Sequence, residues 1–463
     1  MPQPVPPMPA ALIPHPRKAA ANQSRSLRAI LPLAVVFYSF LLLPQEVSAT
    51  IFSVNLPSYR VALLAMTVPS LWMILKNRDA GVVPLDYALM FMGFWILLSF
   101  MTIYGVETGL VRGSGIIIDN VLIYMVARAS ITKPDDLRYF LLLCLPGLLF
   151  AGGSLVVESL YGRLLVRPFF TSIFGSTDAF KGGESTGAVV LSQEVRLGLL
   201  RAFGPFPHPI LAGTVMMGFL PLFYFSGLRS WPYFLAIGVA LTGLFSLSSA
   251  AFLFLMIVGG AIILFHVKPY FPKISWWTIV SISGLIVWAA HVSSKSGIIA
   301  VIARFTLTPS TAEYRTLIWR YGTANVAKNP WFGIGYSEWE RLRWMVTDSV
   351  DAHFLLLAMR HGLIVPVILL AGVVHAMIRL GRLMPSLDER DRNLMIGLNI
   401  TLLGYLVVGQ TVTFFGSATL VFMSTVAFLA SMSQWANREA KAVAQQRLMQ
   451  VRSRLYTSPA YFR

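Results

Sequence analysis

The chain has little charge and almost no cysteine. Only 12% of its 463 residues are Asp, Glu, Lys or Arg, about half the roughly 25% of a soluble domain. With 56% hydrophobic residues and a mean hydropathy of +0.68, that deficit excludes an ordinary soluble domain. Cys144 is the single cysteine and lies in an apolar run, which excludes a disulfide framework and a cysteine metal cluster. No Gly-rich nucleotide loop occurs, and no His-x-x-x-His beside an acid, so neither a nucleotide cofactor nor a metal is expected. Internal repeats of fixed period are absent as well.

Long apolar segments are plentiful. They recur near 30–47, 61–75, 84–104, 114–128, 137–160, 208–227, 232–247, 249–266, 275–292, 353–380, 394–412 and 414–434. At roughly 20 residues per crossing, they predict an all-α integral membrane protein with about 12 transmembrane helices. Residues 1–28 are rich in Pro and Ala and read as a disordered tail. Residues 29–434 form the polytopic membrane domain, and 435–463 a basic C-terminal helix near anionic lipid. Val47-Ser48-Ala49 resembles a signal-peptidase site, but the long Pro-rich leader favours an uncleaved first span.

The net charge of +17 does not call for nucleic acid. Its cations collect in the N-terminal tail, in alternate short loops such as Arg128–Arg138 and Arg379–Arg392, and after Gln434. Short loops on the other side hold only Arg60 and Arg112. Cationic loops stay inside, so both termini are expected in the cytoplasm. The larger loops, about 161–207 and 293–352, then face outward, which in a bacterium is the periplasm, the second of them partly helical.

The second loop holds the polar stretch Glu313–Gly362. Polar backbone between spans must meet water or line a cavity. Arg315, Arg320, Arg341, Arg343 and Arg360 gather there with Asp348, Asp351, His353 and His361. The first loop ends in Arg196-Leu-Gly-Leu-Leu-Arg201-Ala-Phe-Gly-Pro-Phe-Pro-His208-Pro. Arginine forks at a membrane surface suit a diphosphate, and they equally suit lipid headgroups. Asn329–Gly335 reads as a turn whose glycines, Gly333 and Gly335, permit positive φ. Trp331 there either anchors at the interface or stacks on a sugar face. His353, two residues after Asp351, is the side chain best suited to take a proton near neutrality. Asp351 orients it or simply caps the helix.

At these residues the chain resembles the O-antigen ligase and O-antigen polymerase superfamily. The shared pattern is Arg315 in a loop helix, Pro330-Trp-Phe-Gly333-Ile-Gly335, Ala352-His353 opening a span, and Gly362-Leu363. Upstream, Arg201 and Gly204-Pro-Phe-Pro-His208-Pro-Ile match the family's turn before the sixth span. The resemblance covers roughly residues 110–430. Two departures stand out. Where ligases carry Ser-Arg-Gly after the seventh span, this chain has Ser248-Ser249-Ala250, and His353 is followed by Phe354 rather than Asn.

The resemblance implies a multi-pass inner-membrane glycosyltransferase acting on undecaprenyl-diphosphate-linked glycan, with no required metal or cofactor. Its partners would be that substrate, membrane lipids and other polysaccharide-assembly proteins. His353 is expected as general base with Asp351. Arg201, Arg315, Arg320 and Arg196 are expected on the diphosphate, and His208, Gly333, Gly335 and Trp331 in the substrate turns. The missing arginine favours a repeat-unit polymerase over a ligase joining glycan to lipid A core. A transporter or flippase would need ionisable residues at mid-membrane. Asp119, Glu158 and His291 are the candidates for that.

Overall fold

The computed structural model describes residues 16–51, 54–76, 81–174, 195–274, 276–293, 309–345 and 349–457. Asp348 and parts of both expected outer loops, 175–194 and 294–308, lie outside the described residues.

The architecture is a helical bundle with two short antiparallel hairpins. In chain order come α1 (Pro16–Leu41), β1 (Ser48–Ile51), β2 (Val54–Pro57), α2 (Ser58–Lys76), α3 (Pro84–Tyr104), α4 (Val106–Ile117), α5 (Ile123–Ser130), α6 (Pro134–Tyr161) and α7 (Val166–Phe174). A second hairpin, β3 (Val195–Arg196) with β4 (Leu199–Leu200), precedes α8 (Pro209–Tyr224), α9 (Trp231–Leu241), α10 (Ser249–Val267) and α11 (Trp276–Ser293). Then follow α12 (Pro309–Lys328), α13 (His353–His361), α14 (Ile364–Leu383), α15 (Glu389–Val408) and α16 (Ser417–Thr457).

Local chemistry fixes the helix starts. Pro84 and Pro134 occupy first-turn positions, where a missing N–H costs nothing. Three residues in, Asp86 accepts the Val83 N–H at 2.8 Å and Asp136 accepts the Lys133 N–H at 3.2 Å. A π-helical turn, Ile118–Leu122, joins α4 to α5 and carries Asp119. Arg60 grips that carboxylate through Nε at 2.9 Å and Nη2 at 2.5 Å.

Two elements form the centre. Leu211–Phe223 of α8 and Ser417–Ser433 of α16 are buried throughout, as expected of helices apolar on every side. Pro221 is accommodated inside α8 because neighbouring helices, not water, surround it.

Seven helices among the described residues are long and apolar enough to cross a membrane, and three shorter apolar helices accompany them. Two expected spans are corrected. The segment 353–380 is two helices, because Gly362 takes φ 82° and the Leu363 N–H turns aside to the Pro330 carbonyl at 2.8 Å. The last span and the basic C-terminal stretch are one 41-residue helix, α16. At the other terminus, α1 already begins at Pro16, inside the stretch read as a tail.

Candidate active site

One end of the bundle collects the C-terminal ends of α6 and α15 and the N-terminal ends of α8, α10, α13 and α16. The turn before α8 is built around Glu158, which is fully buried. Its Oε2 accepts the N–H groups of Phe203 at 3.3 Å and Gly204 at 2.9 Å, and its Oε1 those of Leu165 at 3.0 Å and Val166 at 3.1 Å. A carboxylate with four backbone donors is a fastener, not a transport site. It ties the end of α6 to the start of α7 and to the turn that carries Arg201. Gly204 adopts φ 50° and packs against Ser154, so only glycine fits there. His208 caps α8 by accepting the Ile210 N–H on Nδ1 at 3.2 Å.

Arginines from separate segments crowd this turn. Burial pulls the His208 imidazole down to about 3, and Arg201, Arg167 and Arg196 push the same way. Arg167 pairs with Glu46 and donates to the Pro207 carbonyl at 3.4 Å. Arg196, on the β3–β4 hairpin, donates Nη1 to the Leu247 carbonyl at 3.3 Å. That carbonyl belongs to the turn Leu247–Ala250, so the turn lacking an arginine in sequence receives one from elsewhere in the chain.

Arg315 joins the group from α12. It is 4% exposed, and its Nε finds no hydrogen-bond partner among the described residues. Burial lowers its pKa, the Asp351 carboxylate opposes that, and the Arg196 charge adds to it. Like charges held together out of water are costly. An anion with several oxygens relieves both the repulsion and the unmet N–H groups.

His353 reaches the same end through a platform, residues 409–416, between α15 and α16. Its backbone N–H donates to the carbonyls of Gly409 at 2.8 Å and Val412 at 3.2 Å. One turn beyond Arg315 on α12, the Trp319 indole donates to the Gln410 carbonyl at 2.9 Å. The platform thus sets the arginine-bearing helix and the histidine side by side. The Phe414 ring lies 4.6 Å from the imidazole, and its N–H donates to Nδ1 at 3.4 Å. With Nδ1 accepting, a neutral ring carries its proton on Nε2. Nε2 is buried and has no hydrogen-bond partner among the described residues. Burial, helped by Arg360, holds the ring down to about 3. Above that pH His353 is neutral, a weak proton acceptor and a ready N–H donor.

Other expected site residues fall elsewhere. Arg320 is exposed, five residues from Arg315 and turned away from it at 100° per residue. Its guanidinium lies 6.0 Å from the Tyr321 ring. Gly333 and Gly335, at φ 69° and 62°, lock the far end of α13: the Ile334 N–H donates to Met359 at 2.7 Å and the Gly335 N–H to Arg360 at 3.1 Å. α13 is nine residues long, so its ends lie about 12 Å apart, and these glycines hold the helix and do not touch His353. Trp331 is 64% exposed, and its carbonyl accepts the Trp95 indole N–H at 3.1 Å. His361 packs on Phe100 at 5.0 Å, at that same far end. Sequence reasoning missed Arg167 and the platform. The signal for the latter was Gln410, Thr411 and Thr413 between two glycines in an apolar run. No three His, Cys, Asp or Glu side chains among the described residues gather to hold a metal ion.

Residues 234–370 match the family model described as O-Antigen ligase. The match takes in Arg315, the Pro330–Gly335 turn, His353 and Gly362-Leu363, and it bears out the recognition read from those residues. That region is therefore similar to the O-antigen ligase family, in a chain whose described residues include seven helices long and apolar enough to cross a membrane. No curated protein matches the chain.

Proposed function

We propose that this chain transfers glycan from an undecaprenyl-diphosphate carrier and polymerises repeat units at the periplasmic face of the bacterial inner membrane. The gathering of Arg196, Arg201 and Arg315 at the end of the bundle where α13 begins with His353 carries the reading. Fixed guanidinium groups in a water-poor site stabilise a departing diphosphate. An acceptor hydroxyl attacks the anomeric carbon, a new C–O bond forms, and the sugar–phosphate bond breaks with its electron pair leaving on the diphosphate. Asp351, the carboxylate beside Arg315, takes the hydroxyl proton. His353, neutral and protonated on Nε2, donates to the charge that develops on oxygen. This donor role departs from the general base expected from sequence: burial lowers the pKa of the ring and weakens it as a base, and His353 variants decide between the two roles.

A ligase is the second reading. Arg196 at the Leu247 carbonyl supplies the arginine whose absence from Ser248–Ala250 spoke for a polymerase. Glycan gels of a deletion strain separate the two. Loss of long polymer with surviving single repeat units supports polymerisation, whereas accumulated polymer unattached to lipid A core overturns it in favour of ligation.

The orientation rests on the cationic loops. Ser337 and Ser386 are both exposed, and Cys144 is buried. A cysteine at Ser337 is expected to react with an impermeant thiol reagent once the outer membrane is opened, and one at Ser386 to stay unlabelled. The reverse pattern would put the arginine site on the cytoplasmic side.

A further inference from the structure

The opposite end of the bundle holds a cavity of about 270 Å³, apart from the arginine site. It lies where α8 and α10 finish and α9 and α15 begin. Tyr224, Tyr233 and Phe265 supply aromatic walls, and His266, Arg390 and Asn393 supply the polar ones. The Tyr224 hydroxyl and His266 Nε2 are 2.8 Å apart, which fixes both rings.

One buried guanidinium, Arg138, pins two of the cavity walls, donating to the carbonyls of Ser226 at 2.9 Å and Arg390 at 3.0 Å. The neighbouring carboxylate, Asp391, is taken up by Arg138 at 2.7 Å. Arg390 forms no ion pair with a carboxylate among the described residues, and its side chain lies along Gly227 at φ 76°, where a Cβ would come within 3.2 Å of it. Trp231 and Phe234 flank the lining residue Tyr233 in sequence, and Tyr270 and Phe271 follow His266; all four are exposed, as aromatic and apolar side chains are at a bilayer interface. Arg229 and Lys273, close to them in sequence, are exposed as well.

A cation facing a small aromatic-walled cavity, with exposed apolar side chains close to its lining in sequence, fits a ligand that is anionic at one end and greasy at the other. Basic pockets between membrane helices take such headgroups. We propose that this pocket binds the phosphodiester headgroup of an anionic phospholipid, with Arg390 on the phosphate and the acyl chains along Phe234 and Phe271. The proposal does not rest on the glycosyl-transfer reading.

Photoreactive phosphatidylglycerol and phosphatidylcholine probes with identical chains test it on the full chain in phosphatidylcholine nanodiscs. The anionic probe is expected to label peptides around Tyr233 and Phe265 several-fold more than the zwitterionic one. Arg390→Gln should abolish that excess, and added inorganic phosphate should leave it unchanged. Equal labelling by the two wild-type samples overturns the proposal without recourse to any variant. So does an excess that survives Arg390→Gln, or one that free phosphate displaces, which would reassign the site to a soluble anion.

Discussion

Arg315→Ala should reduce glycan transfer by about 10²–10³-fold, the usual cost of one preorganised donor at developing charge. Arg315→Lys should recover little, since lysine keeps the charge and loses the planar fork. The accompanying stability result separates a ligand-binding arginine from a structural one. Arg315 loses more by burial than it gains from the Asp351 carboxylate, and Arg196 repels it further. Removing it takes away a desolvated charge that no ligand is compensating. The purified Ala variant should therefore melt no lower than the parent. Near-normal transfer by Arg315→Ala would return this residue to headgroup contact, and a large drop in melting temperature would make it a structural prop.

His353→Ala should cost about 10²-fold or more for the same reason, and the replacement residue decides what the imidazole does. Glutamine sets an amide N–H close to the position of Nε2 but cannot accept a proton at neutral pH. If His353 is a donor, His353→Gln should regain about tenfold over His353→Ala, whereas a general base would regain nothing. The pH profile gives a second reading. The folded ring sits near 3, below its ordinary value of about 6.5. It stays neutral as pH falls through that ordinary value, so wild-type rate should show no acid limb near about 6.5 traceable to this side chain. Such a limb, missing in His353→Gln, would restore the general base.

The site was legible where chemistry is local in sequence. Arg315, the Pro330–Gly335 turn and His353 are short motifs in a fixed order within the region that the family model matches, and the Arg201–Pro209 turn lies upstream of that match. What brings them together was not legible. Glu158 looked like an isolated acid in a span, because its four partners are backbone N–H groups that no side-chain pattern announces. Residues 409–416 read as the ends of two spans, since a few threonines and a glutamine hardly change the apolar average. The break at Gly362 was hidden in the same way: one positive-φ glycine inside an apolar run divides a helix without altering hydropathy. Arg320 was grouped with Arg315 by nearness in sequence, and helical geometry sends it to another face. Arg196 entered as an expected diphosphate ligand, with no sign in sequence of its contact with the Leu247 carbonyl. Only the fold shows that it serves the turn after α9.

The central claim is that the arginine cluster and His353 form one glycosyl-transfer site rather than a passage for lipid-linked glycan. Purified protein in liposomes supplied with the lipid-linked repeat unit tests this most directly, by following lipid diphosphate release and new glycosidic bonds together. The expected result is one lipid diphosphate released per bond formed, with both signals lost in Arg315→Ala. Repeat units that cross the bilayer intact, with no release above protein-free liposomes, would contradict it.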